Sequence, residues 1–331
     1  MDKNLQMRVY DSVIDAIGWT PIIKMKQIFS DNNVYLKSEF LNPGGSIKDR
    51  VGVYMLQEAE KQGIITPGQY IIEPSSGNTG VGLALMCALR GYKLIITMPD
   101  KMSKEKIQGL KAFGAEVIIC PTAIEPEDPR SYYRMAETIA KEKNGWVPNQ
   151  YFNQDNPQAH YLTTGPEIWE QTEGKVTHFV CSVGTGGTIT GVGRYLKEEN
   201  PNVQIIGADA VGSILKEAHE HPEHKYNPAN VSTYLTEGIG EDFIPDTLDM
   251  DVVDKFYTVT DEEAFLTTRE VVRKEGLLIG GSGGAAVHVV KQISKNLKND
   301  DVVVVITPDG SQKYYSKIFN DDWMKEKGFL H

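Results

Sequence analysis

The chain has 331 residues and a formal net charge of -11, with 40% hydrophobic and 24% charged residues. That is an ordinary globular composition with enough length for two lobes, and its acidic balance argues against nucleic acid or an anionic membrane as partner, because the summed field repels polyanions. Without an apolar run of membrane-spanning length or a basic, apolar leader in residues 1–10, the expected location is cytoplasmic.

In chain order, residues 9–17 run into a Gly18-Trp19-Thr20-Pro21 turn, and 34–40 read as a strand. NPGGSIKDR (42–50) follows, where Pro and Gly break the chain and Ser46 with Asp49 has capping-box spacing. A helix carried by Val51, Tyr54, Met55 and Ala59 is expected there, with Lys48 at its second position. The positive end of a helix disfavours an ammonium, so the Lys48 pKa should fall, as a Schiff-base lysine requires. Read alone, Lys48 is more often a solvated first-turn side chain.

A second strand–loop–helix unit holds EPSSGNTG (73–80) before VGLALMCAL. Hydroxyls, an amide and free N–H groups at a helix start make an anion site suited to a carboxylate, the plain alternative being Ser75 or Ser76 as an N-cap. No GxSxG elbow surrounds either serine. Strands at 93–98 and 115–120 alternate with helices at 103–113 and 132–142, which predicts a parallel sheet covered on both faces. Residues 121–130 read as an acidic surface loop, and a lobe boundary is expected near 146–156. Cys87, Cys120 and Cys181, without CxxC spacing, read as small buried hydrophobes.

THFVCSV then leads into GTGGT, and Ile189, Val192 and Leu196 carry a helix. Glycines before free helix N–H groups form a phosphate cradle. Ile189 stands where a dinucleotide fingerprint needs glycine and no GK[ST] follows, yet Asp209 sits about where a ribose-binding acid would, so the nucleotide reading stays open at this point. His219, His221 and His224 lack a spacing that would converge on a metal. TEGIGE (236–241) is another glycine turn, a strand and helix follow at 256–259 and 261–274, GGSGG (280–284) is a third glycine-rich helix start, and 302–306 is an apolar strand. Tyr314, Tyr315, Phe319, Trp323 and Phe329 make an aromatic tail able to dock on the body.

NPGGSIKDR with Lys48, EPSSGNTG with Asn78, SVGTGGTITG, TEGIG with Glu237 and GGSGG with Ser282 together resemble the fold-type II pyridoxal-phosphate enzymes, within them cystathionine β-synthase and its cysteine synthase relatives. The resemblance runs from Trp19 to Met324, and the NPGGSIKDR wording, the PTAIEPEDPRSYY loop and the closing DDWMKEKGFL lean toward cystathionine β-synthase. It implies an α/β fold of two lobes, each a twisted, mostly parallel sheet flanked by helices: 42–153 as the smaller, 1–41 with 154–331 as the larger. It implies pyridoxal 5'-phosphate bound through Lys48, its 3-oxygen on Asn78, its phosphate on Gly184, Thr185, Gly186, Gly187 and Thr188, and its pyridine nitrogen facing Ser282. Ser75, Ser76, Gly77, Thr79 and Gln150 would take the substrate carboxylate, with Glu237 and Gly238 also at the substrate.

The implied reaction is β-replacement by way of an aminoacrylate, joining L-serine, O-acetylserine or cysteine to homocysteine to give cystathionine. Sulfide as nucleophile would make the enzyme a cysteine synthase, and cysteine as donor would release hydrogen sulfide. Relatives suggest a homodimer, and neither haem nor a regulatory module is expected. Glu241 stands where many cystathionine β-synthases carry an aromatic residue, a departure that bears on the second substrate. An oxidoreductase would keep GTGGT and Asp209 but leave Lys48 and SSGNTG idle.

Overall fold

A computed structural model describes residues 9–75, 77–100, 102–121, 124, 128–223 and 231–330. Ser76, His224 and most of the acidic loop at 122–127 lie outside the described residues.

Strands β1 (Ile22–Lys24) and β2 (Asn33–Ser38) open the chain. Then come α1 (Lys48–Lys61), β3 (Tyr70–Pro74), α2 (Asn78–Arg90), β4 (Lys93–Pro99), α3 (Lys104–Ala112), β5 (Glu116–Cys120) and α4 (Tyr132–Lys143). After α5 (Asp155–Leu162) and α6 (Thr164–Gln171) the alternation resumes with β6 (His178–Ser182), α7 (Gly187–Glu199), β7 (Gln204–Ala210) and α8 (Leu215–Glu220). Strand β8 (Lys255–Val259), α9 (Asp261–Glu275), α10 (Gly281–Ile293), β9 (Val302–Thr307) and α11 (Asp321–Glu326) complete it.

Among the described residues the strands form two sheets, ordered β1-β2-β9-β6-β7-β8 and β3-β4-β5, parallel throughout except where β1 meets β2. The period of two in a strand covers both faces of the larger sheet. On β9, Val303 and Val305 join the core beneath α9 and α10, whereas Val304 and Ile306 join the one beneath α7. The smaller sheet packs Ile71, Leu94 and Ile96 against Val51, Met55, Leu83 and Met86 of α1 and α2. These two helices cross at glycines: a Cβ on Gly82 would lie 2.3 Å from the Lys48 carbonyl oxygen, so only the bare backbone admits the approach.

One local expectation fails. Ser46 and Asp49 make no capping box, because Gly45 (φ 78) turns the chain back so that the Gly44 N–H takes the Asp49 carboxylate at 2.6 Å. Ser46 Oγ accepts instead from the Lys48 N–H, and the helix opens at Lys48, its first residue rather than its second. Cys87, Cys120 and Cys181 are buried and unpaired. The tail docks as expected, with Trp323 and Phe329 ring centroids 5.9 and 5.3 Å from Phe265, although Tyr315 stays exposed. No helix among the described residues is long and apolar enough to cross a membrane.

Candidate active site

Lys48 lines a cavity together with residues that follow β3, β6 and β9. Its ammonium donates to Thr185 Oγ1 at 3.2 Å, so the amine and the GTGGT turn, far apart in sequence, meet directly. Burial lowers its pKa to about 8, against the opposing pull of Glu241 and Glu73. Desolvation leads this shift, where the helix dipole was the cause expected from sequence.

The turn itself is shaped for an anion. Gly186, at φ 81, is the N-cap of α7 and offers no side chain to the first-turn N–H groups. A Cβ there would meet Leu248 Cβ at 2.4 Å. Gly184, Thr185, Gly186 and Thr188 line the cavity, while Gly187 lies against Asn156 behind it. Asn156 donates to Thr185 Oγ1 (3.1 Å) and to the Gln150 carbonyl (2.7 Å), and Thr247 Oγ1 donates to the Thr185 carbonyl. His160 faces Thr188 Oγ1 at 3.2 Å, and burial, with Lys48 and Arg50 nearby, keeps its imidazole uncharged.

Opposite stands the 75–80 turn. Thr79 donates to Gln150 Oε1 at 2.5 Å, and both line the cavity. Ser75 Oγ accepts from the N–H groups of Gly77 and Gly80, capping the turn from within and leaving its own hydrogen to donate. Gln150 is held from behind by Glu73, whose buried carboxylate accepts from the N–H groups of Asn149 (2.9 Å) and Gln150 (3.2 Å). Burial pushes Glu73 up to about 7.

Asn78 lies on the third side, donating to Asp309 Oδ2 (2.9 Å) and accepting from Lys313 (2.7 Å), which leaves its second amide hydrogen for a ligand. Ser282, buried in the first turn of α10, also lines the cavity. Gly238 reaches the same wall, and Glu237 does so with its carboxylate paired to Lys106 and Lys317. Glu241 adds a buried carboxylate raised to about 8 by burial, bonded by the Tyr151 hydroxyl.

Asn156, His160 and Asp309 belong to none of the quoted motifs and act from behind the residues that do; Glu73 opens EPSSGNTG and Lys106 lines the cavity, but neither is marked as a site residue by sequence alone. Asp209 does not face a nucleotide; its carboxylate accepts from the N–H groups of Ala210 and Lys216 at the start of α8. His219 bonds the Val253 carbonyl at 2.8 Å.

A phosphorylated aldehyde cofactor fits these groups: the start of α7, whose glycine N-cap brings no side chain, could receive a phosphate, and an amine able to hold the aldehyde stands beside it. A family profile described as pyridoxal-phosphate dependent enzyme matches residues 13–309. A cystathionine beta-synthase from Apis mellifera is 45% identical, covering 98% of this chain and 64% of that protein. A cysteine synthase from Staphylococcus aureus (strain Mu50 / ATCC 700699) is 40% identical, covering 92% of this chain and 96% of that protein. The chain thus spans about three fifths of the length of the cystathionine beta-synthases it matches. Among solved structures, a hydrogen sulfide-producing enzyme from Fusobacterium nucleatum superposes with a TM-score of 0.85 at 37% identity, over 92% of this chain and all of that one.

Proposed function

Because the chain belongs to the pyridoxal-phosphate dependent enzymes, in the fold-type II group of cystathionine β-synthases and cysteine synthases, we propose that it condenses L-serine, O-acetylserine or cysteine with homocysteine to give cystathionine. The cofactor, when bound, supplies the electron sink that makes a substrate Cα–H acidic. The observation that carries the proposal is the Lys48 amine, softened by burial and set between the phosphate cradle and the carboxylate turn.

In this reading Lys48 would hold the cofactor until the substrate amine displaces it, and the freed Nζ would take the proton from the substrate Cα and return it after the nucleophile has added. Thr79, Gln150, Ser75, Ser76 and Gly77 hold the substrate carboxylate. Asn78 donates to the cofactor's 3-oxygen, and 184–188 hold its phosphate. The Ser282 hydroxyl faces the pyridine nitrogen; unlike a carboxylate it does not keep that nitrogen protonated, which favours β-elimination and replacement over transamination. Residues 42–153 act as a smaller lobe on the body made by 1–41 and 154–331.

Homocysteine is favoured over sulfide by Glu241. This acid, on the cavity wall and bonded by Tyr151, is kept protonated up to about pH 8 by desolvation, and it would ionise beside a nucleophile that brings its own ammonium, which sulfide lacks. The second reading, a cysteine synthase or a cysteine-consuming producer of hydrogen sulfide, draws on the resemblance to the Staphylococcus and Fusobacterium proteins. A homodimer is supported by the half-exposed Trp19 and Leu162, which flank an apolar hollow with Ile14 and Ile17.

Two measurements test this. Purified protein should absorb in the visible and be bleached by borohydride. Serine, O-acetylserine and cysteine, each offered with homocysteine and with sulfide, should give cystathionine as the faster product by mass; turnover with sulfide alone would replace the first reading by the second.

A further inference from the structure

Three charged side chains from three separate segments meet beside the cavity, two of them, Lys106 and Glu237, lining it with Thr79. Lys106, in the first turn of α3, pairs with the Glu237 carboxylate, and Lys317, beyond β9, binds its other oxygen at 2.8 Å. The Lys106 side chain is 3% exposed and that of Glu237 9%. The Lys106 ammonium also lies over the Tyr314 ring, 5.1 Å from its centroid.

The two ends of this contact belong to different bodies. Helix α3 packs beside α2 and β5 of the smaller sheet. The Glu237 turn is tied to the larger one by the Gly240 N–H on the Val183 carbonyl at 2.7 Å, and Tyr314 and Ile318, which flank Lys317, are in the core of the larger sheet. The Lys106 stem completes the bridge: a Cβ on Gly77, at φ 126, would sit 3.0 Å from Lys106 Cδ. The methylenes therefore brace the backbone of the turn while the ammonium grips the opposite wall.

Burying ions costs more than most single pairs return, so such a cluster is poorly explained by stability alone. Burial alone would raise the Glu237 pKa, but the two lysines hold it below the usual glutamate range, so the carboxylate is fully committed to them.

We propose that Lys106, Glu237 and Lys317 form a positioning strap: Lys106 holds the carboxylate-binding turn against the wall that carries the phosphate cradle, and Glu237 anchors the strap rather than touching substrate. Its function in substrate binding rests on the reading of 75–79 as the carboxylate site.

The test compares wild type, Lys106→Met, Glu237→Gln and Lys106→Arg as cofactor-loaded enzymes with matched visible spectra. Amide hydrogen exchange at 77–80 is read without substrate, and the dissociation constant for the amino acid comes from the spectral change on titration. Lys106→Met and Glu237→Gln should speed exchange at the turn and weaken amino-acid binding, each about tenfold, with kcat at saturation changed by less than about threefold. Lys106→Arg, which keeps the charge and a long stem, should restore both. Unchanged exchange, or exchange that rises with binding intact, overturns the strap. A wild type whose spectrum ignores amino acids instead overturns the carboxylate reading, and the substrate-free exchange tells the two failures apart.

Discussion

Lys48 shows how much one residue's chemistry depends on neighbours that are distant in sequence. NPGGSIKDR marked the lysine, and the softened amine was anticipated, but its main cause, burial against Thr185, needed the fold. Lys48→Ala should abolish the visible absorbance and lower turnover by about 10²–10⁴-fold or more. In cofactor-free protein the native amine gives up its proton near pH 8, whereas the unfolded chain keeps it to 10.5. Between those values the unfolded state binds more protons, so wild type should gain stability relative to Lys48→Met as pH rises, by at most about 1.4 kcal/mol per unit. Chemical denaturation across the window from about pH 8 to 10.5 measures it. Ser282→Asp should shift products toward side reactions such as transamination; unchanged partitioning by mass analysis would show that the serine does not set reaction type. His160, which acts from behind, was not legible, since a lone buried imidazole has no sequence signature; Glu73 stands in EPSSGNTG, but its hold on the Asn149 and Gln150 N–H groups needed the fold.

At the scale of elements, the strand and helix alternation was readable because apolar period and glycine breaks agree, and boundaries fell within a residue or two. Capping was less so. Thr260 and Glu263 have the same spacing as Ser46 and Asp49, and there the box does form at the start of α9. The difference lies upstream, where two glycines let the chain fold back and compete for the Asp49 carboxylate. The glycines of the phosphate turn act through space rather than through capping. Gly186→Ala forces a Cβ into Leu248 at a positive φ, so it should raise the cofactor dissociation constant about tenfold or more while leaving kcat of the loaded enzyme within about threefold. Spectral titration of stripped protein separates the two quantities.

For the whole molecule, two parallel sheets were foreseeable, whereas the buried ions that join them were not. Arg50, on α1, binds Glu39 at 2.8 Å and Glu167 at 2.6 Å, and Lys37 donates to Glu167 at 2.6 Å, all nearly inaccessible to solvent. Burial would raise Glu39, yet Arg50 holds it down at about 2, below the ordinary 4.5. Its contribution is complete above about pH 4.5 and fades as pH falls toward 2. Glu39→Gln should therefore cost about 3–5 kcal/mol at neutral pH, a gap to wild type that narrows in acid, as urea midpoints at pH 7 and pH 3 would show. The same ions have a mechanical meaning. Arg50 and the Ile47 N–H, bonded to the Pro308 carbonyl at 2.8 Å, pin both sides of Lys48 to the larger sheet's body although its helix packs with the smaller sheet. Lys48 is thus held to both bodies. In the proposed two-lobe reading, a movement of 42–153 would carry Ser75 and Thr79 about an amine that keeps its place, so the turn could close on substrate without displacing the lysine that acts on it.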